Sequence, residues 1–100
     1  KDGGETTLVE TKDIDWVDAA GDYMCVHEND KTHVMRITMK ELEDKLDPAR
    51  FQRVHRSTIV NLDRVKKVCS HMNGEFYLQL HNDASVKMSR SYKDKVKHFF

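Results

Sequence analysis

The segment whose residue types are best suited to bind a ligand is FQRVHRSTIVNL, residues 51–62, where His55 and Arg56 precede two hydroxyl residues and an apolar run. A guanidinium can bind guanine through two parallel hydrogen bonds, and hydroxyl and imidazole groups can bind phosphate or base edges. The apolar residues Ile59 and Val60 predict a buried strand that holds this set of donors. The alternative for His55 is a structural histidine that bonds nearby backbone.

A second group of basic and hydroxyl side chains lies where a strand is predicted to meet a helix. It comprises Lys87, Ser89, Arg90, Ser91, Tyr92 and Lys93. Free N–H groups at the start of a helix, together with a basic residue, favour the binding of a phosphate. The alternative for Arg56 and Arg90 is a surface ion pair with acidic residues, which contributes little to stability.

The formal net charge of zero hides a division between the two halves of the chain. Residues 1–50 contain 7 Lys and Arg against 13 Asp and Glu, a net charge of −6. Residues 51–100 contain 10 against 4, a net charge of +6. This asymmetry indicates either a face that binds a polyanion or two halves that neutralise each other within one fold. Composition leaves both open.

Two Cys-x-His pairs raise the possibility of a metal site. Cys25 with His27, and Cys69 with His71, each place two ligand types for zinc on one face of a strand. The pattern is weak, because a small buried cysteine beside an exposed histidine explains each pair equally well. Together with the basic second half of the chain, these pairs leave an alternative function open: a zinc-binding or protein-interaction β-module that docks an acidic partner.

The sequence does not favour an enzyme. It lacks the nucleophile elbow, the glycine-rich phosphate loop and the H-E-x-x-H pattern of common enzymes. No catalytic residue and no cofactor are expected.

Short strands are predicted to position these side chains. Gly21-Asp22 predicts a turn between strands at 13–19 and 23–27, with Ile14 and Trp16 on one side of the first. Asn82-Asp83 predicts a hairpin between strands at 75–80 and 85–89.

Two helices interrupt this pattern. Thr38 and Glu41 match a capping box, Met39, Leu42 and Leu46 recur on one helical face, and Pro48 ends the helix. A second helix is predicted over residues 89–100. The expected fold is mostly β, an arrangement of small antiparallel sheets with one short central helix and a C-terminal helix.

The length of 100 residues suits one domain. Residues 1–7 are interpreted as the remnant of a linker and residues 8–100 as the domain. The chain has no apolar run of about 18 residues and no signal-peptide core. Two cysteines do not indicate a disulfide framework, so the expected location is the cytoplasm.

Four segments together resemble one family, the LytTR DNA-binding domain, which is the output module of many bacterial response regulators. They are IDWVDAAGDY (14–23), TMKELEDKLDPARF (38–51), VHRSTIVNLDRV (54–65) and KMSRSY (87–92). They keep the order and spacing of the family, and the resemblance covers roughly residues 8–100.

The resemblance implies an elongated stack of three small sheets with a short helix, and DNA contacts from loops that enter successive major grooves. It implies three groups of contact residues: Gly21, Asp22, Tyr23 and Met24; His55, Arg56 and Ser57; and the group that contains Ser89, Arg90, Tyr92 and Lys93. Asp22 would repel a phosphate unless it accepts from a cytosine amine.

The resemblance also implies particular partners. These are double-stranded promoter DNA with direct repeats, a second copy in a dimer on that DNA, and an N-terminal receiver or sensor domain that is missing from this chain. No membrane contact by this domain is expected.

Overall fold

The computed structural model describes residues 9–70 and 75–92. This part of the chain contains eight strands and one α-helix, with short 3₁₀ helices at Thr11–Asp13 and Leu62–Arg64. The elements are β1 Trp16–Ala20, β2 Tyr23–Glu28, β3 Lys31–Met35, α1 Met39–Lys45, β4 Phe51–His55, β5 Thr58–Asn61, β6 Val65–Ser70, β7 Phe76–Leu80 and β8 Ser85–Met88.

The strands form two antiparallel sheets in an elongated molecule of 47 × 23 × 23 Å. One sheet has the order β3-β2-β1-β5-β4 and the other the order β6-β7-β8. In the larger sheet, Val17 of β1 lies opposite both Val26 and Ile59. Because β1 pairs with β2 and with β5, the described residues form two sheets and not the three that the resemblance implied.

Two predicted turns are confirmed. Strands β1 and β2 remain paired up to Ala20 and Tyr23, and Gly21 takes the first position of the two-residue loop with φ +63°. Glycine is favoured there because it adopts positive φ without a clash at Cβ. In the β7–β8 turn, Asp83 has φ +70° and the Asn82 side chain accepts from Ala84 N–H at 3.1 Å.

The predicted central helix is also confirmed. Thr38 Oγ1 accepts from Glu41 N–H at 3.0 Å, and Glu41 Oε1 accepts from Thr38 N–H at 3.1 Å, which completes the capping box. The pKa of Glu41 lies below its ordinary value of 4.5, because its carboxylate accepts from the backbone N–H and then from the hydroxyl of Thr38. Met39, Leu42 and Leu46 are all buried.

The core has two clusters, one on each face of the larger sheet. The first packs α1 against β1, β2 and β5, and the second packs β4 and β5 against the smaller sheet. Ile59 belongs to the first cluster and Val60 to the second. Strand β5 is therefore held from both sides, as successive side chains of a strand point to opposite faces.

Two sequence predictions need comment. Ile14 and Trp16 do not share a side: Ile14 lies in the first cluster and Trp16 packs against the second, because the strand begins only at Trp16. Residues 90–92 form a 3₁₀ turn, and the rest of the predicted C-terminal helix lies outside the described residues, as does the 1–7 segment. No helix in the described part is long and apolar enough to cross a membrane.

Candidate nucleic-acid interface

Three connections meet at one end of the larger sheet. Antiparallel pairing places the β1–β2 turn, the β3–α1 connection and the β4–β5 loop at the same strand ends. A backbone hydrogen bond from Ala19 N–H to Ser57 O, at 3.0 Å, links the β1–β2 hairpin directly to the β4–β5 loop. The fold therefore places predicted contact groups that lie more than thirty residues apart in the chain side by side.

The β4–β5 loop is braced from within. The Ser57 N–H donates to His55 Nδ1 at 3.2 Å, and Ser57 Oγ lies 3.0 Å from the same nitrogen. His55 is half-buried and Arg56 between them is exposed. A bulge between Arg53 and His55 interrupts the β4–β5 pairing just before the loop, a device that re-aims side chains. His55 and Ser57 thus shape the loop, and Arg56 projects from it.

Arg53 also braces this loop, and the sequence analysis missed it. One guanidinium nitrogen donates to the carbonyl oxygen of Arg56, and the other donates to Glu43 of α1 at 3.5 Å. The available signal was its place in the strand just before a hairpin loop, from which a long side chain can reach the loop carbonyls. Arg53 thus ties the backbone that carries Arg56 to the helix.

The segment after β8 joins the same region. Ser89 N–H donates to Val54 O at 2.8 Å, and this bond connects the smaller sheet to β4. A groove of about 400 Å³ lies beside it and is lined by His55, Glu75, Lys87, Met88, Ser89, Arg90 and Ser91. His55 of the second predicted contact group and Ser89 and Arg90 of the third therefore border one groove. Tyr92 is half-buried and donates its N–H to Ser89 O at 3.0 Å, and Lys93 lies outside the described residues.

The first predicted contact group divides into turn and core. Gly21, Asp22 and Tyr23 are exposed, and Tyr23 keeps 44% of its surface accessible. Met24 is only 5% exposed and packs in the first core cluster. Its side chain serves packing, so the surface that this group offers comes from the other three residues.

The arginines separate into two sets of three. One set pairs with carboxylates, at 3.5 Å in each case: Arg50 with Asp63, Arg53 with Glu43, and Arg64 with Asp15. The other set is exposed, and its side chains have no hydrogen bond or ion pair within residues 9–70 and 75–92: Arg36, Arg56 and Arg90. All three lie at the end just described, which is called the arginine end below.

Arg36 is the member of this set that the sequence analysis missed. It follows β3 and lines a groove of about 520 Å³ with Gly21 and Asp22 of the β1–β2 turn. The strand-like segment THVMRI (32–37) predicts a place for Arg36 inside a strand, whereas β3 ends at Met35. The signal that could have found it was its position two residues before the capping box, where the chain leaves the sheet.

The structure gives the zinc hypothesis no support. Cys25 and His27 lie on β2, whereas Cys69 lies on β6 of the other sheet, and His71 lies outside the described residues. His27 stacks on Trp16 at 4.1 Å, and its Nε2 and Nδ1 lie 2.7 Å from Asp18 Oδ1 and 3.2 Å from Thr32 Oγ1. The described residues contain no group of three or more side chains that could hold a metal ion.

Comparison with known proteins assigns the family. A family profile described as the LytTr DNA-binding domain matches residues 4–100. The chain belongs to the LytTr DNA-binding domain family. This family is defined as a DNA-binding domain and not as a class of enzyme. The resemblance drawn from the four sequence segments is confirmed.

The LytTr domain is similar to parts of longer proteins. It is 28% identical to the sensory transduction protein LytT of Bacillus subtilis, over 95% of this chain and 39% of that protein. It is 32% identical to LytT of Bacillus anthracis, over 90% and 37% respectively. It is 34% identical to the transcriptional regulatory protein YpdB of Escherichia coli K12, over 87% and 35%. The chain therefore spans less than two fifths of each.

A solved structure supports the fold. A LytTr DNA-binding domain from Bacillus cereus superposes with a TM-score of 0.88 and 24% sequence identity, over 99% of this chain and 91% of that chain. The mostly β fold of antiparallel sheets with a short helix is confirmed by this likeness.

Proposed function

We propose that this LytTr domain is the sequence-specific DNA-binding output domain of a bacterial transcription regulator, and that it contacts the major groove from the arginine end. The observation that carries the proposal is the position of Arg56 and Arg90. Both are exposed, Arg90 lines a groove that is also lined by His55, the neighbour of Arg56, and neither arginine side chain has a carboxylate partner in the part of the chain described. Membership of a DNA-binding family supplies the polyanion that such side chains fit.

The braced β4–β5 loop suits Arg56 to contact a base. A bidentate arginine–guanine pair discriminates against a wrong base by about 1–3 kcal/mol only when the guanidinium is held in the right geometry. His55 and Arg53 both bond to the loop that carries Arg56, and β5 is packed on both faces. Arg56 is therefore assigned to a base edge, with His55 and Ser57 shaping the loop.

Arg90 is positioned relative to Arg56 by backbone. Ser89 N–H donates to Val54 O at 2.8 Å, so the residue before Arg90 is bonded to the strand that leads to Arg56. Two arginines on one rigid platform can contact the duplex together, with Ser89 as a further hydrogen-bonding group. The Gly21–Tyr23 turn forms the third contact group, and Tyr92 and Lys93 complete the proposed set.

The regulatory setting is part of the proposal. The relatives are named a sensory transduction protein and a transcriptional regulatory protein, and this chain spans less than two fifths of each. We assign the domain to the output of such a regulator, controlled by a receiver or sensor domain. Two copies are proposed to bind direct repeats in promoter DNA.

The test begins with selection from a pool of randomised duplexes by the 100-residue chain. The expected result is enrichment of a short repeated site, bound by two chains per duplex. The affinity should fall steeply between 50 and 200 mM salt, because cationic side chains of the protein release counterions from the DNA when they bind. Arg56→Ala and Arg90→Ala are each expected to weaken binding to the selected duplex by roughly 5- to 150-fold, which corresponds to about 1–3 kcal/mol.

Arg50→Ala is the matched control. Arg50 pairs with Asp63 at the opposite end of the larger sheet, so its removal deletes the same charge away from the proposed interface. It is expected to change affinity less than about twofold, as a screened distant charge should. The proposal is wrong if no duplex is enriched, or if Arg56→Ala and Arg90→Ala both bind like wild type.

A further inference from the structure

We propose that Arg36 is a third DNA-contacting arginine and that its guanidinium binds a backbone phosphate to one side of the site contacted by Arg56 and Arg90. This inference rests on the proposed function and extends the interface to the β3 edge of the larger sheet. Arg36 lies outside the four sequence segments, so the resemblance assigned it to no contact group.

The surroundings of Arg36 leave its charge available. It is exposed, and its side chain forms no ion pair or hydrogen bond with any residue in the ranges 9–70 and 75–92. Two carboxylates line the same groove, from Asp22 and Glu41. The Glu41 carboxylate is engaged by Thr38 at 3.0–3.1 Å, and Asp22 forms no ion pair with Arg36. Within the described residues, the Arg36 guanidinium is therefore exposed and unpaired.

Register fixes where Arg36 sits relative to the other arginines. Met35 is the last residue of β3 and pairs with Met24, so Arg36 leaves the sheet beside the β1–β2 turn. Strands β3 and β4 are four strand positions apart in the larger sheet. At about 4.8 Å per step, the backbone points that carry Arg36 and Arg56 are roughly 19 Å apart.

This separation decides which part of a duplex Arg36 meets. The major groove is about 12 Å wide, so when Arg56 contacts a base, a group roughly 19 Å across the groove lies over the flanking phosphates. If the row of strand ends runs along the duplex instead, the same span covers about half of a 34–36 Å helical turn, where phosphates border the minor groove. In both orientations Arg36 meets phosphate.

The experiment compares wild type, Arg36→Ala, Arg36→Lys and the control Arg50→Ala in the 100-residue chain. Each is titrated with the selected duplex and with a scrambled duplex, at several salt concentrations. Arg36→Ala is expected to weaken binding to both duplexes by a similar factor, on the order of threefold to tenfold at low salt. The slope of log affinity against log salt should become shallower by about 0.9, the value for one lost phosphate contact.

The controls separate this inference from the proposed function. Arg36→Lys should recover most of the affinity because it keeps the charge, and thermal unfolding should show that Arg36→Ala is folded. If wild type binds the selected duplex and Arg36→Ala matches Arg50→Ala, the inference is wrong and the proposed function stands. Loss confined to the selected duplex would overturn the phosphate assignment. If wild type binds no duplex, the proposed function itself fails.

Discussion

At the end of the larger sheet opposite the arginine end, Arg64 lies 3.5 Å from Asp15 and donates to the Lys12 carbonyl at 3.0 Å. At the arginine end, the side chains of Arg36, Arg56 and Arg90 have no such partners within the described ranges. The region around Arg64 is called the braced end below. It is formed by Asp15, the β2–β3 turn, residues 61–64 and the β7–β8 turn.

The braced end is organised around a buried carboxylate. Asp15 is 3% exposed, and its Oδ2 accepts from Asn29 N–H at 2.7 Å and from the Asn82 side chain at 3.2 Å. Asn61 is buried beside it, donates to Ile14 O at 2.8 Å and accepts from Asp63 N–H at 3.0 Å. The bond between Asp15 and Asn82 links the two sheets, since Asn82 lies in the β7–β8 turn of the smaller one.

The comparison separates polar residues whose bonds stabilise the fold from exposed arginines that have no partner within the described residues. A buried carboxylate must have its hydrogen bonds satisfied, because an unsatisfied buried group is expensive. An exposed arginine imposes no such demand on folding. The interpretation that the two halves of the chain neutralise each other holds in part: Arg64 and Arg53 pair with the acidic half of the chain, whereas Arg56 and Arg90 do not pair within its described part.

The largest effect is expected from Asp15→Ala, which tests whether the polar bonds of the braced end stabilise the fold. The change leaves Asn29 N–H and the Asn82 amide without their acceptor and removes the buried ion-pair partner of Arg64, so the free energy of unfolding should fall by about 2–4 kcal/mol. Urea unfolding measures it. Asp13→Ala is the control, because Asp13 lies 3.9 Å from Arg64 on the surface and its loss should change stability by less than about 0.5 kcal/mol. Equal effects of the two substitutions would contradict the distinction.

His55→Ala tests the hydrogen bond between His55 and Ser57 that shapes the β4–β5 loop at the arginine end. Removing the acceptor of the Ser57 N–H should loosen the loop, so affinity for the selected duplex should fall about tenfold, or about 1.4 kcal/mol, and affinity for a scrambled duplex should fall less. The measurement is the ratio of the two dissociation constants. His81→Ala is the control, because His81 is exposed in the β7–β8 turn. An unchanged ratio would show that His55 does not support base contact.

Thr38→Ala removes a polar group that lies near the arginine end but serves the fold. Loss of the helix cap should lower the free energy of unfolding by about 1 kcal/mol and leave the salt dependence of DNA binding unchanged. Thermal or urea unfolding and a salt titration measure the two quantities. A shallower salt slope without loss of stability would reverse this assignment.

The capping box also predicts a dependence on pH. The pKa of Glu41 is lowered by the backbone N–H and then the hydroxyl of Thr38, so the ionised form is favoured in the folded state. Its contribution to stability is present above about pH 4.5 and is lost as the pH falls through the lower folded-state value. Unfolding measured for wild type and Glu41→Gln should show a stability difference that narrows over this acid range. A constant difference would mean that ionisation of Glu41 contributes nothing.

The smallest expected effect is that of Asp22→Asn. If phosphate lies near the Gly21–Tyr23 turn, removal of this negative charge should strengthen binding to every duplex by less than about threefold at low salt. If Asp22 accepts from a cytosine amine instead, binding should weaken, and only for sites that contain that base pair. Titrations with the selected duplex and with single-base variants distinguish the two roles.

Much of the local structure could be predicted from neighbouring residues. The capping box of Thr38 and Glu41, the buried stripe of α1 and the Gly21 turn all depend on contacts within a few residues of the chain, so spacing alone indicates them. The candidate contact residues His55, Arg56 and Arg90 were also found from their types and from the segments around them.

Other features depended on the tertiary structure. The pairing of β1 with β5, the bond between Ser89 and Val54, and the meeting of His55 and Arg90 at one groove join segments that are more than thirty residues apart. The burial of Met24 follows from which face of β2 the core covers, and the exposure of Arg36 follows from where the chain leaves the sheet after β3. The sequence indicated candidate contact residues such as Arg56 and Arg90, but not Arg36. Only folding decided which arginines pair with carboxylates, because an ion pair depends on distances that no local spacing encodes.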